Sequence, residues 1–284
     1  MRDSASALRQ RKPAQPTKGR YIPVVAKFIM SHLYAAVWTG FSVYISIPWL
    51  DDFSMIVSFP IALLVLAGLA YIPGYINVFM VASLLMDKQP QFKNDRLAKS
   101  VTVLIAAKNE GKYIKNTIQY VKSQDYPGDI RVVVIDNASS DNTAEAALQA
   151  GKDFNLDLNV ITEDNPGKFN ALNKGLSHTK TELIITLDAD TLLHKSAIRY
   201  LVARLESAPE EVCAVAGSVL VRNSRNNILT RIQEWDYFLG IASIKRLQGL
   251  YQGTLVAQGA FSLYRTRWIT LHAHTIPTWT PTIV

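Results

Sequence analysis

The chain has 284 residues, 49% of them hydrophobic and 19% charged, with a formal net charge of +7 at pH 7. That length suits one globular domain plus something extra. A single cysteine, Cys213, excludes an intrachain disulfide framework, and the basic excess tracks apolar stretches without interleaved aromatic stacking residues, which argues against a nucleic-acid partner.

Residues 1–27 form a basic arm, with Arg2, Arg9, Arg11, Lys12, Lys18, Arg20 and Lys27 against Asp3 alone. Within residues 28–86, the stretches Phe28–Leu50 and Phe53–Met86 contain no Asp, Glu, Lys or Arg. A bilayer core needs about 20 apolar helical residues, so both stretches are long enough to span. Two transmembrane helices joined at Asp51-Asp52 are predicted, with Pro60 and Pro73 kinking or bounding the second. A pair of buried soluble helices is the competing reading. Lys88, Lys93, Arg96 and Lys99 follow the second stretch. Positive charge stays on the cytoplasmic side, so the N-terminus and everything after Met86 are expected in the cytoplasm of a multi-pass protein of the cell (inner) membrane. The apolar run starts too late and is too long for a cleaved signal peptide.

Residues 87–99 read as a linker, and from residue 100 strands and helices alternate. Strands are predicted at 101–107, 131–135, 158–161 and 183–187, with another through Cys213. Helices are predicted at 110–124, 144–150 with Gly151 ending it, 169–177 and 195–206. Near-continuous apolar strands alternating with helices imply an α/β fold with a parallel sheet covered on both faces. Cys213, within Cys213-Ala214-Val215-Ala216, is expected in the core. No internal repeat or extended low-complexity tract interrupts the pattern.

Polar residues gather at the strand ends. The first strand runs into Ala106-Ala107-Lys108-Asn109-Glu110, the second into Asp136-Asn137-Ala138-Ser139-Ser140-Asp141, and the fourth into Asp188-Ala189-Asp190. On a strand, residues i and i+2 point the same way, so Asp188 and Asp190 are expected to project together where open α/β sheets bind ligands. A divalent metal carrying a phosphate would neutralise such a pair. The bland alternative makes Asp190 or Thr191 the cap of a helix starting near Leu192. Asp136 has the right chemistry to accept from a base imide N–H such as uracil's, or it simply opens a turn. Ser140 reads as a helix cap; Asp141 serves either role. Pro166-Gly167 turns the chain into a helix whose N-terminus, with Lys168, suits a diphosphate; a solvated lysine is the alternative.

The ordered motifs Ala-Ala-Lys-Asn-Glu, Asp-Asn-Ala-Ser-Ser-Asp, Gly-Lys-Phe-Asn-Ala-Leu-Asn and Leu-Asp-Ala-Asp resemble those of the family 2 glycosyltransferases. With Ile232-Gln233-Glu234-Trp235-Asp236-Tyr237 and Gln258-Gly259-Ala260-Phe261-Ser262-Leu263-Tyr264-Arg265, they are most similar to the processive membrane branch that makes poly-N-acetylglucosamine, hyaluronan, chitin and cellulose. The resemblance spans about Val101 to Trp268. It implies a GT-A-like, mostly parallel sheet with helices on both faces, preceded by two transmembrane helices. It also implies a UDP-sugar donor, Mg²⁺ or Mn²⁺, and inverting transfer to a polysaccharide or lipid-linked acceptor, with an accessory membrane subunit in some relatives. Carried over by position, Ala106, Glu110 and Asp136 would line the nucleoside pocket. Lys168 would sit near the diphosphate and Asp188 on the nucleotide side; Asp190 would ligate the metal. Gln258, Gly259, Ala260 and Phe261 would lie near the acceptor.

The chain departs from that pattern after Asp236, beyond which it has no Asp or Glu. Relatives carry their catalytic base in a later Glu-Asp-type motif, followed by Gln-x-x-Arg-Trp. Residues 269–284 read as an atypical tail, with His272 and His274 in it, and Thr266-Arg267-Trp268 is not the missing motif. These features predict a glycosyltransferase domain over 100–268 that is incomplete at its C-terminus, able to bind donor but impaired in synthesis. Transfer to a polyprenyl phosphate, and a non-catalytic nucleotide-sugar-binding membrane protein or gene remnant, are the other readings.

Overall fold

A computed structural model describes residues 22–87, 92–224, 226–251, 257 and 259–272. They fall into two compact units, one within residues 1–91 and 220–255, the other within 92–219 and 256–284. Most of the basic arm and the tail beyond His272 lie outside the described residues.

The first unit is helical. Helix α1 (Val24–Val57) is followed by a second rod, Phe59–Leu85, built from α2 (Phe59–Leu66), a π-helical turn (Ala67–Tyr71) and α3 (Ile72–Leu85). Both rods are long and apolar enough to cross a membrane. Their junction is not at Asp51-Asp52 as expected. Helix α1 runs through both acids and ends at Ser58, whose φ is 93°. Pro60 explains the restart, because it lies in the first turn of α2, where no intrahelical N–H is required. Pro73 lies just past the π-helical turn, a common accommodation of a residue with no N–H to donate.

Helix α1 packs along α3, and the Ser83 hydroxyl lies 2.9 Å from Ser31 Oγ and 2.7 Å from the Tyr251 hydroxyl. The outer sides carry Leu33, Val37, Trp49, Leu64, Leu69 and Leu85, all exposed. Helix α8 (Ile228–Leu239), a π-helical turn (Gly240–Lys245) and α9 (Arg246–Leu250) complete the unit. Asn227 starts α8 by accepting from Thr230 N–H at 2.9 Å, and Arg246 pairs with Asp87. Sequence reading put this segment inside a continuous 100–268 domain. Instead it groups with the apolar rods, and α8 itself buries no residue.

The second unit is a six-stranded sheet of order β3-β2-β1-β4-β6-β5. Strands β1 (Val101–Ala107), β2 (Ile130–Asp136), β3 (Leu158–Thr162) and β4 (Leu183–Asp188) are parallel, whereas β6 (Phe261–Arg265) pairs antiparallel with both β4 and β5 (Ala214–Ala216). Alternate side chains enter two cores, as a period of two requires. Val101, Val103 and Ile105 of β1 join Val132, Val134, Leu183, Ile185 and Leu187 on one face. There they pack against α4 (Ile114–Lys122), α5 (Thr143–Asp153) and α7 (Ala197–Ser207). Leu104, Val133, Ile135 and Ile184 face α6 (Lys168–Ser177).

Three local expectations change. Helix α5 continues through Gly151 to Asp153, because Gly151 is a close-approach point: a Cβ there would meet Leu158 Cβ at 3.1 Å. Cys213 is exposed; it precedes β5, an edge strand whose residues are only partly covered. The residues after β6 form α10 (Thr266–His272), with Ile269 packed against the α6-side core, so the expected tail is helical up to His272. The expected linker is also partly built into this unit. Lys93 N–H donates to Ser207 Oγ at 2.8 Å, and Arg199 of α7 pairs with Asp95 at 2.9 Å.

At the opposite end of the sheet from the strand carboxyl termini, Glu206 of α7 binds Lys99 Nζ at 2.9 Å and Arg265 Nη1 at 2.6 Å. Burial pushes the Glu206 carboxyl up, and the two cations outweigh it, holding the group below the usual carboxylate range. Because the folded pKa is depressed, the unfolded chain binds the proton more readily. Glu206 therefore stabilises the fold above the unfolded carboxylate pKa, and that contribution is lost as pH falls through the folded pKa. Glu206→Gln should cost about 2 kcal/mol at pH 7 by chemical denaturation, since hydrogen bonds to charged groups are worth about 1.5–3 kcal/mol. The penalty should shrink toward acid pH; a constant penalty would contradict the assignment.

Candidate functional site

The polar strand ends meet because of register. β1 lies between β2 and β4, with Ala107 opposite Asp136 and Ala106 opposite Asp188. Two acids thus flank the small side chains that end β1, with Asp136 one residue further along the sheet's carboxyl edge than Asp188. Parity then separates their directions. Asp136 continues the Val132–Val134 line toward α4 and α5, whereas Asp188 continues the Ile184 line toward α6. Lys168, the first residue of α6, accordingly pairs with Asp188.

Asp136 is buried, and its Oδ1 has no hydrogen-bond partner. An unsatisfied buried acceptor costs about 1–3 kcal/mol, so this atom is ready for a ligand N–H. Ala106 is half-buried and lies opposite Asp188, so it faces the other side of the sheet from Asp136. Glu110 is also half-buried; burial raises its carboxyl above the usual range, with Asp190, Asp141 and Asp188 adding like charge. The carboxylates therefore repel one another and favour a cation among them.

β4 ends at Asp188, and Ala189-Asp190 form a turn closed by Thr191 N–H donating to Asp188 O at 3.1 Å. The two acids do not project together by strand periodicity, as expected from sequence, because Asp190 has left the strand. Nor does Asp190 or Thr191 cap a helix, since α7 begins only at Ala197. Asp190 is exposed. Among the described residues, no group of three His, Cys, Asp or Glu side chains is placed to hold a metal unaided. Magnesium-like ions usually take one or two carboxylates and complete their shell with phosphate oxygens and water. The donor set fits an ion that arrives with a phosphate.

The last strand closes the site. Asp188 N–H donates to Ala260 O at 3.1 Å, and a Cβ on Gly259 would lie 3.7 Å from Lys168 Nζ. Gly259 and Ala260 are therefore beside the Lys168–Asp188 pair. Phe261, expected near an acceptor, is buried in the core, where it packs so closely on Gly217 that a Cβ there would meet Phe261 Cδ1 at 2.3 Å. Gln258 lies outside the described residues.

Sequence reasoning missed the residues that hold these loops in place. Asn109, at φ 58°, accepts from Ser140 N–H at 2.8 Å, and its own N–H donates to Ser139 Oγ at 3.0 Å. Ser140 is thus a loop tie, not the expected cap. Asp141 accepts from Thr143 N–H and from Gly111 N–H, both at 3.1 Å, and also from the Thr143 hydroxyl. The Thr143 hydroxyl in particular, with these backbone donors, keeps its carboxyl below the usual range. Thr117, fully buried on α4, donates to Ala189 O at 2.7 Å and so fixes the peptide between Asp188 and Asp190. Its sequence signal was a threonine on the buried stripe of Ile114, Ile118 and Val121. Asn109 belongs to the residue types that tolerate left-handed backbone.

Residues 102–270 match the family "Glycosyl transferase family 2". Over 220 residues the sequence is 31% identical to a poly-β-1,6-N-acetyl-D-glucosamine synthase of Staphylococcus epidermidis, covering 75% of this chain and 50% of the relative. Over 180 residues it is 33% identical to the enzyme of that name from Staphylococcus aureus strain COL, covering 63% and 42%. The chain thus spans about half the length, or less, of these curated relatives. Among solved structures, it is similar to the mannosyltransferase PcManGT from Pyrobaculum calidifontis in complex with GDP-Man and Mn²⁺, with a TM-score of 0.55 and 24% identity over 69% of this chain and 53% of that one. That likeness is one of fold, a GT-A-like sheet with helices on both faces. With the family match extending over more than half of its residues, the chain belongs to glycosyl transferase family 2.

Proposed function

We propose that this chain binds a UDP-sugar at the carboxyl edge of its sheet and, as part of a membrane enzyme, serves inverting transfer of that sugar to a growing β-linked polysaccharide. The observation that carries the reading is the buried, unpartnered Asp136 Oδ1 at the same sheet edge as the Lys168–Asp188 pair. Asp136 accepts the uracil imide N–H, with Ala106 and Glu110 lining the nucleoside pocket. The N-terminal N–H groups of α6 and Lys168 hold the diphosphate. Lys168 exchanges part of its hold on Asp188 for phosphate oxygens, and Asp188 stays on the nucleotide side.

Asp190 holds Mg²⁺ or Mn²⁺ together with the diphosphate. Such an ion supplies positive charge to a departing diphosphate. Lys168 stabilises the same charge from the protein side, as preorganised cations do at developing anions. The acceptor hydroxyl oxygen bonds to C1 as the C1–O bond to UDP breaks. Its proton goes to a general base outside the donor site. Gly259 and Ala260 border the acceptor side. The synthase relatives support N-acetylglucosamine as the sugar and a polymer as the product.

The same reading seats the two apolar rods in the cell membrane with the sheet unit on the cytoplasmic side. Its support is their exposed apolar surface, since each large side chain left in water forgoes about 1.5–3 kcal/mol of burial. The charge pattern agrees, with bases at residues 88–99 and only Asp51 and Asp52 between the apolar stretches.

Calorimetry on the full chain in detergent micelles tests the donor site. UDP should bind in Mn²⁺ and lose most of its affinity in a chelator. Asp136→Ala should weaken UDP by about 10-fold or more, the scale of a hydrogen bond to a charged group. Asp190→Ala should abolish the metal dependence, and Thr117→Val should weaken it by ~10-fold through the Ala189 peptide. UDP affinity indifferent to metal and to Asp136→Ala would sink the proposal. With radiolabelled UDP-N-acetylglucosamine and membranes, label in a polymer supports the acceptor assignment; label that partitions into organic solvent replaces it with a lipid acceptor.

A further inference from the structure

Asn137 follows Asp136 directly and is almost fully buried, at 4% exposure. Its backbone N–H donates to Ala107 O at 2.8 Å, which extends the β1–β2 ladder by one bond. Its side chain leaves the sheet altogether. Oδ1 accepts from Gly167 N–H at 2.7 Å, while Nδ2 donates to Asn165 O at 2.7 Å and to Glu163 O at 3.1 Å. Both amide hydrogens are used, and the carbonyl faces an N–H. The orientation is therefore fixed by its partners, because the flipped amide would set donor against donor and acceptor against two acceptors.

Those three bonds span the whole turn that leads into α6. Gly167, the N-cap of α6, has φ 135°, and a Cβ there would meet Phe169 Cε1 at 2.8 Å. The turn is thus held in a conformation that only glycine adopts without strain. Lys168, which pairs with Asp188, is the next residue. One residue therefore joins the strand end that carries Asp136 to the helix start that carries Lys168.

We propose that Asn137 is a positioning residue for nucleoside diphosphate recognition. Its side-chain amide acts through Gly167, Asn165 and Glu163. It sets the α6 N-terminus and Lys168 at a fixed place relative to the Asp136 carboxylate, so that base and diphosphate are read together. This inference rests on the donor site proposed above. Aspartate cannot substitute for it: a carboxylate at 137 keeps the acceptor for Gly167 N–H but turns both donors into acceptors facing Asn165 O and Glu163 O.

The test compares UDP with uridine on the full chain in micelles with Mn²⁺, by calorimetry and ligand-observed NMR. Asn137→Asp should lower UDP affinity by at least ~10-fold, the scale on which losing an orienting partner acts. Uridine affinity should stay within about two-fold of the wild-type value, because Asp136 is unchanged. A merely structural residue would weaken both ligands together. Equal loss of both, or no loss of UDP, overturns the positioning role while leaving the donor site standing. Failure of the unaltered chain to bind UDP overturns the donor site and this inference with it. If Asn137→Asp does not fold, Gly167→Ala breaks the same turn from its other side, and it must reproduce the selective loss of UDP over uridine or the inference falls.

Discussion

A parallel sheet covered on both faces leaves its strand interiors no aqueous surface, so polar chemistry is confined to the strand ends. Here β1, β2 and β4 spend their side chains on two apolar cores, and the acids begin only where the strands stop. Register then decides which acids meet. Because β1 pairs in parallel with both β2 and β4, Asp136 finishes one residue beyond the level of Asp188, and that offset puts the two acids on opposite sides of the sheet. A slip of one residue in either pairing would bring both acids to the same side, and a slip of β4 would carry Asp188 away from Lys168.

Loops at such an edge are flexible unless tied, and apart from Asp141 the side chains that tie this edge are neutral. Asn109, Ser139, Thr143, Asn137 and Thr117 bond backbone groups of adjacent loops at 2.7–3.1 Å. Most of the charged residues they surround are left with spare capacity. Glu110 is kept uncomfortable by three other carboxylates, and Asp136 holds an idle acceptor. Division of labour follows from dielectric: neutral amides and hydroxyls are cheap to bury when paired, whereas charges keep their value at a site only if they are not already neutralised by the fold.

The sheet was legible because its strands are long apolar runs bounded by polar ends, and the four parallel strands fall within a residue or two of expectation. The family motifs fall at the strand ends for the same reason. Other features were decided by contacts that one-dimensional patterns do not carry. Asp188-Ala189-Asp190 looks like a strand continuing, yet the chain turns after Asp188 under a backbone bond from Thr191 and a hydroxyl from Thr117. Phe261 looks available in its motif, yet Gly217, just past the end of β5, makes a niche that buries it. The break between the apolar rods follows Pro60, whose local rule outweighed the two acids that sequence charge suggested. Cys213 looked like core from its apolar neighbours, but it flanks an edge strand.

Strand β6 enters the sheet between β4 and β5, although it comes last in the chain. Until it arrives, the outer edge of β4 is an open row of N–H and C=O groups running up to Asp188. Synthesis of the whole segment from β4 to β6 must finish before Ala260 can cover that edge, and helices α8 and α9, which belong to the other unit, emerge in the interval. Loop closure of that length is slow to repay its entropy. The nascent protein therefore carries an unprotected edge on β4 from the completion of that strand until residues 261–265 have emerged, and the time taken over the intervening segment sets how long β4 can pair with the wrong chain.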